Sequence, residues 1–142
     1  MEEKKGIMKK ILVGYDGSQG SERALNRALS IIDEGGELIL LAVVPCREKK
    51  SFLDGNAYEL AKEKAGKLIE DRISLIVRED ITVRGMVKEG DVAEKIIEVA
   101  NVLDCDLILL GRGGQSEINP SQVGSVAEKV IMHAHKPVMI VR

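Results

Sequence analysis

Two stretches of this 142-residue chain are glycine-patterned exits from apolar runs, and one of them carries residue types suited to holding phosphate. The first is Gly111-Arg112-Gly113-Gly114, followed after nine residues by Gly124-Ser125. Phosphate oxygens need several backbone N–H donors at close range. Glycine lets a backbone approach closely and adopt positive φ. A helix N-terminus adds unpaired N–H groups and a positive dipole potential. Gly124-Ser125 stands where the last helical pattern begins, so Ser125 offers its hydroxyl either to a phosphate or to the helix as a cap. Arg112 either pairs with a phosphate or lies in solvent. The second stretch is Asp16-Gly17-Ser18, at the end of the first apolar run. An Asp-Gly pair also forms turns that need no ligand, so both readings stay open at Asp16. The glycine loop is not a Walker A loop, since G-x-x-x-x-G-K-[ST] is absent. It is not the dinucleotide fingerprint either, because Ser116 stands where the third glycine of G-x-G-x-x-G belongs. Taken alone, it reads equally well as a turn.

Other reactive residue types are sparse. His133 and His135 lie two apart near a helix end, and a metal site would need further ligands. They read as partners of the helix dipole. Cys105 precedes a strongly apolar run and reads as a buried hydrophobe. Cys46 follows Pro45 in a polar stretch, and a disulfide is not expected without a secretion signal. No Ser/His/Asp arrangement and no P-loop lysine is present to support ATP hydrolysis. The formal net charge is −2 and aromatic residues make up 2% of the chain, which argues against nucleic-acid binding. Residues 1–10 resemble neither a signal peptide nor an anchor. No apolar run approaches the roughly 18 residues of a membrane span. A cytoplasmic protein is expected.

The elements that must position these groups follow from hydrophobic period. Ile11-Leu12-Val13 is a short buried strand. Ala24, Leu25, Ala28, Leu29, Ile31 and Ile32 have helical spacing after Ser18, and Gly35-Gly36 stops them. Leu38 to Val44 is an uninterrupted apolar run, the mark of a strand buried on both faces. Residues 46–56 are polar and predict a loop, either an ordinary surface segment or one that folds over a ligand. A long amphipathic stripe runs from Ala57 to Ile76. Ile81, Val83, Gly85 and Val87 alternate as in a half-exposed strand. Asp91 is a suitable N-cap, with Glu94 at the capping-box position, for a helix from Val92 to Leu103. Residues 106–111 form another buried strand, 126–134 a short helix, and Val138-Met139-Ile140-Val141 a last strand.

The order β-α-β-α-β-α-β-α-β implies an α/β fold: one Rossmann-like, open parallel five-stranded sheet with helices on both faces. Ligands in such sheets sit beyond the carboxyl ends of the strands, where the winding reverses. Placing strands one and four side by side gives the order 3-2-1-4-5 and sets both glycine-patterned loops on one crevice. The apolar fifth strand then lies at an edge that a second subunit would cover.

The spacing G-x-x-G, nine residues, G-[ST] resembles the ATP-binding branch of the universal stress protein family. The resemblance extends to the stretch from Lys10 to Ser18, to residues 40–45, 106–111 and 124–130, and to the closing segment from Lys136 to Arg142. It covers nearly the whole chain from Lys9, so residues 1–8 read as an extension and 9–142 as the nucleotide-binding domain. There are departures: Arg112-Gly113 replaces a Ser/Thr-His or Ser/Thr-Arg pair, Ala42 stands where His is frequent, and residues 116–122 are more polar than usual.

The resemblance implies that Asp16 contacts the nucleoside and that Val43 holds adenine through its backbone. Leu110 and Gly111 would lie along the ribose and α-phosphate, while Gly114, Gly124, Ser125 and Val126 cradle the phosphates. ATP is the implied ligand, with Mg2+ riding on its phosphates. The expected function is that of a homodimeric regulatory or signalling module in a stress response. A nucleotide-independent interaction protein of the same fold and a slow ATP hydrolase are the alternatives.

Overall fold

The computed structural model describes residues 8–45, 55–113 and 123–142. Five strands and four helices alternate: β1 (Lys10–Gly14), α1 (Gln19–Ile31), β2 (Glu37–Pro45), α2 (Gly55–Ser74), β3 (Thr82–Gly90), α3 (Val92–Val102), β4 (Leu107–Gly111), α4 (Ser125–His133) and β5 (Val138–Val141). All strand pairings are parallel, in the order β3-β2-β1-β4-β5. This is the order expected from the two glycine-patterned strand exits.

The period of two along each central strand divides the core between the two faces of the sheet. Ile11, Val13, Leu38, Leu40, Leu107 and Leu109 pack with Ala24, Leu25 and Ala28 of α1 and Ile69 of α2. Leu12, Ile39, Leu41, Ile108 and Leu110 pack with Ala93, Ile96 and Ala100 of α3 and Ala127 and Val130 of α4. Cys105 joins the second cluster, and burial pushes its thiol up to about 11.

Two elements, β3 and α2, end two or more residues away from the periodic reading. β3 continues past Val87 to Gly90, because it pairs residue for residue with β2 through Pro45↔Gly90. The polar Lys88 and Glu89 are tolerated there because β3 is an edge. α2 begins at Gly55, inside the segment expected to be loop, and ends at Ser74 rather than Ile76. Ile76 is instead partly buried against the first core cluster. Cys46 and the remainder of that expected loop, residues 47–54, lie outside the described residues.

Candidate functional site

β1 is shorter than β2, and this inequality opens the site. The last β1 partner of β2 is Gly14, opposite Leu41. Tyr15 N–H still donates to Leu41 O at 2.8 Å, and then the chain turns into α1. β2 continues to Pro45. Peptide groups of a parallel strand alternate between its two neighbours, so Val43, two residues past Leu41, presents its backbone toward the space β1 has left.

A cavity of about 650 Å³ occupies this space, within the range of small-molecule sites. Leu41, Val43, Pro45, Val92, Ile96, Leu110 and Ala127 give it an apolar side. Asp16, Ser18, Ser21, Arg112, Gly113, Gly124 and Ser125 give it polar groups. Of the residues expected at the site, Asp16, Val43, Leu110, Gly111, Gly124, Ser125 and Val126 all line this one cavity. Gly114 lies outside the described residues. Tyr15, Ser21, Val92 and Ile96 also line it without having been singled out by sequence. Ser21 had a readable signal in its position three after Ser18, as a capped first turn requires.

The β1–α1 wall is tightly bonded. Gly17 adopts φ 85°, a left-handed turn that favours glycine. Asp16 Oδ1 accepts Ser18 N–H at 2.9 Å, so the turn-former reading of Asp16 holds while its side chain remains exposed at the cavity. Ser18 caps α1: its Oγ accepts Ser21 N–H at 3.2 Å, and Ser21 Oγ donates to Ser18 O at 3.0 Å. Behind the wall, the Tyr15 hydroxyl donates to Glu22 Oε2. Arg72 of α2 binds the same carboxylate at 2.7 Å and 3.1 Å through Nε and Nη2. Hydrogen bonding from Arg72 holds Glu22 below the usual carboxylate range. Burial, aided by Glu22, pushes the Tyr15 hydroxyl up to about 12.

The β4–α4 wall is built differently. Arg112 N–H donates to Val141 O at 3.1 Å, and Gly124 N–H donates to Arg112 O at 2.7 Å. Gly124 is the N-cap of α4 and provides no side-chain cap. Ser125 is the first helical residue, so the capping alternative for its hydroxyl does not hold. Ser125 and Val126 are exposed at the cavity. The first N–H groups of a helix have no intrahelical acceptor, which makes this turn suited to an anion. His133 lies in the last turn of α4, where a basic group meets the negative end of the dipole. Among the described residues, no three His, Cys, Asp or Glu side chains come together as a metal site would require.

The family model of the universal stress protein family matches residues 8–142. Universal stress protein MJ0531 of Methanocaldococcus jannaschii is 30% identical over 141 residues, covering 96% of this chain and 83% of that protein. The solved structure of MJ0577, from the same organism, is 29% identical with a TM-score of 0.75, covering 96% of each chain. A universal stress protein solved in complex with cAMP is 25% identical with a TM-score of 0.60, covering 96% of this chain and 99% of that one.

Proposed function

The chain belongs to the universal stress protein family, and from that premise we propose that its cavity binds an adenine nucleotide, ATP with Mg2+ on the phosphates. One observation carries the reading. The apolar slot beside Val43, the Asp16 turn and the start of α4, where Gly124 provides no side-chain cap, open onto a single cavity of about 650 Å³. Each part suits one part of a nucleotide. Leu41, Val43, Val92 and Ile96 offer apolar surface and a backbone edge to a base. Asp16 Oδ2 is available to ribose hydroxyls, since the Ser18 bond uses Oδ1. Gly113, Gly124, Ser125 and Val126 surround the position of the phosphates, with Gly114 assigned there from its place in the motif. The related protein in complex with cAMP lends support for an adenine nucleotide as the class of ligand.

The nucleotide is held rather than consumed. Asp16 is the one carboxylate lining the cavity among the described residues, and this reading gives its free oxygen to the ribose rather than to a base role. Mg2+ would neutralise phosphate charge and reach the site on the nucleotide. The module acts in the cytoplasm in a stress response, a role that rests on the family alone. It acts as a homodimer through β5, which among the described residues pairs only with β4 and carries the exposed Met139, and which follows α4 with Ile131 and Met132 exposed. No helix among the described residues is long and apolar enough to cross a membrane.

Calorimetric titration with ATP, ADP, AMP and cyclic AMP, each with and without Mg2+, tests the ligand. Saturable binding of at least one is expected, accompanied by a rise in Tm, because a ligand that binds only the folded state must stabilise it. No heat and no Tm shift with any of the four would leave the nucleotide-independent module standing. Sedimentation at micromolar concentration tests the dimer, and a monomer there would refute it.

A further inference from the structure

The glycine loop rests on a residue outside its own motif. Gly20 is the second residue of α1 and is buried. A Cβ added to Gly111 would stand 2.6 Å from Gly20 C, 2.7 Å from Gly20 O and 2.9 Å from Gly20 Cα. In the other direction, a Cβ on Gly20 would stand 3.1 Å from Gly113 O and 3.7 Å from Gly111 Cα. The first turn of α1 and the exit of β4 thus meet backbone to backbone, with no side chain between them. Conformational freedom does not explain the glycine. The positive-φ glycines among the described residues are Gly17, Gly35 and Gly90. Helix propensity does not explain it either, since glycine loses more backbone entropy in a helix than alanine does. What remains is space.

We propose that Gly20 positions the glycine loop. The bare first turn of α1 is the surface on which Gly111–Gly113 lies, and the missing side chain sets how far the loop stands from α1. Two further contacts hold the same segment, from Arg112 N–H to Val141 O and from Gly124 N–H to Arg112 O. α1, β5 and α4 therefore fix the strand exit from three directions. A methyl group at position 20 presses on the Gly113 carbonyl at 3.1 Å, whereas Ser18 Oγ, at 3.9 Å, is in ordinary contact. The loop is the part that must give, by a few tenths of an ångström. The shift reaches the phosphate end of the cavity through Gly113 and Gly124. It leaves the apolar end at Leu41, Val43 and Val92 in place.

The test compares Gly20→Ala with the wild type, using Asn26→Ala on the exposed face of α1 as control. The ligand measurement rests on the nucleotide reading above. ATP affinity is expected to fall about tenfold, the equivalent of one charge-assisted hydrogen bond, while adenosine affinity changes by less than about twofold. A purely structural role would lower both affinities together with Tm, so an unchanged ATP-to-adenosine ratio overturns the proposal. Amide hydrogen exchange without ligand gives an independent reading. Gly124 N–H is expected to exchange faster in Gly20→Ala, with Lys129 N–H unchanged. Equal protection of Gly124 in both proteins overturns the positioning role whether or not a nucleotide binds. Absence of nucleotide binding by the wild type, with Gly124 exchange accelerated in the variant, would refute the ligand reading alone.

Discussion

Helices α1 and α4 both line the cavity with their first turns, and they begin in opposite ways. At α1, Ser18 accepts Ser21 N–H, Asp16 accepts Ser18 N–H, and Glu22 in the first turn is fixed by Tyr15 and Arg72. The positive end of that helix dipole is already answered by protein oxygen. At α4, Gly124 has no side chain with which to answer it, although Glu128 stands in the first turn. A helix start that faces a cavity and lacks an internal cap retains its anion-binding capacity. Proximity to the cavity is common to both helices, so it does not by itself mark the phosphate end. The difference in capping is what favours α4 as the proposed phosphate end.

The comparison breaks if α4 is given the cap it lacks. Gly124 has φ −65° and ψ 161°, extended backbone open to any residue, so the backbone accepts Gly124→Asp without strain. An aspartate there is a better N-cap than glycine by a few tenths of a kcal/mol. It also sets a carboxylate against the proposed phosphates, where like charges cost several kcal/mol. ATP affinity should therefore drop at least about a hundredfold, roughly 3 kcal/mol, while Tm without ligand holds or rises slightly. ATP binding that survives this substitution would remove α4 from the site.

The bonded side has its own signature in pH. The Tyr15 hydroxyl is raised from 10.0 to about 12, first by burial and then by its bond to Glu22. The folded value lies above the unfolded one, so the unfolded state loses this proton first as pH rises. The contribution is fully present below about pH 10 and disappears as pH climbs toward 12, amounting to about 2–3 kcal/mol. Denaturant melts of wild type and Tyr15→Phe at pH 9 and near pH 12 measure it, with other alkaline titrations cancelling in the difference. Wild type should lose more stability than the variant across that interval. Parallel curves would show that burial and the Glu22 bond do not raise the Tyr15 hydroxyl in the folded protein.

The sheet order and the two glycine-patterned ends of the cavity were legible from local pattern, while Val43, Leu110 and Val126 came from the family resemblance. Apolar runs marked buried strands, glycine-patterned exits marked where the winding reverses, and Asp16-Gly17-Ser18 carried its own turn and cap. The unread features depend on contacts far apart in sequence. Arg72 reaches Glu22 across 50 residues, and nothing in the amphipathic stripe of α2 distinguishes it from its solvated neighbours. Gly20 and Gly111 meet only once α1 is packed beside β4, and an isolated glycine in a helical segment gives no hint of what it approaches. The exit of β4 also shows how a motif can mislead. Gly111 is required by contact with Gly20, so its presence is explained by packing even before a ligand is considered. The end of β3 was misplaced for a related reason: its partner β2, rather than its own alternation, determines how far it runs.

The finest division is between two serines that occupy neighbouring places at the starts of the two helices. Ser18 is a cap and Ser125 is one residue past a cap. Ser18→Ala removes the acceptor of Ser21 N–H and should cost about 1 kcal/mol. Ser125→Ala removes a hydroxyl exposed to the cavity and should change stability by no more than about 0.5 kcal/mol. Under ligand the ranking turns around at Ser125: its hydroxyl faces the proposed phosphates, so ATP should stabilise Ser125→Ala less than wild type. Ser18→Ala should keep its deficit with and without ATP, since its bond lies within α1. Chemical denaturation of both variants, with and without saturating ATP and Mg2+, reads all four values. Equal stability losses for the two variants without ligand would contradict the assignment of Gly124 as the cap. An equal ATP response in wild type and Ser125→Ala would confine phosphate contact to the backbone of α4, the part of the helix start that glycine at its cap leaves open.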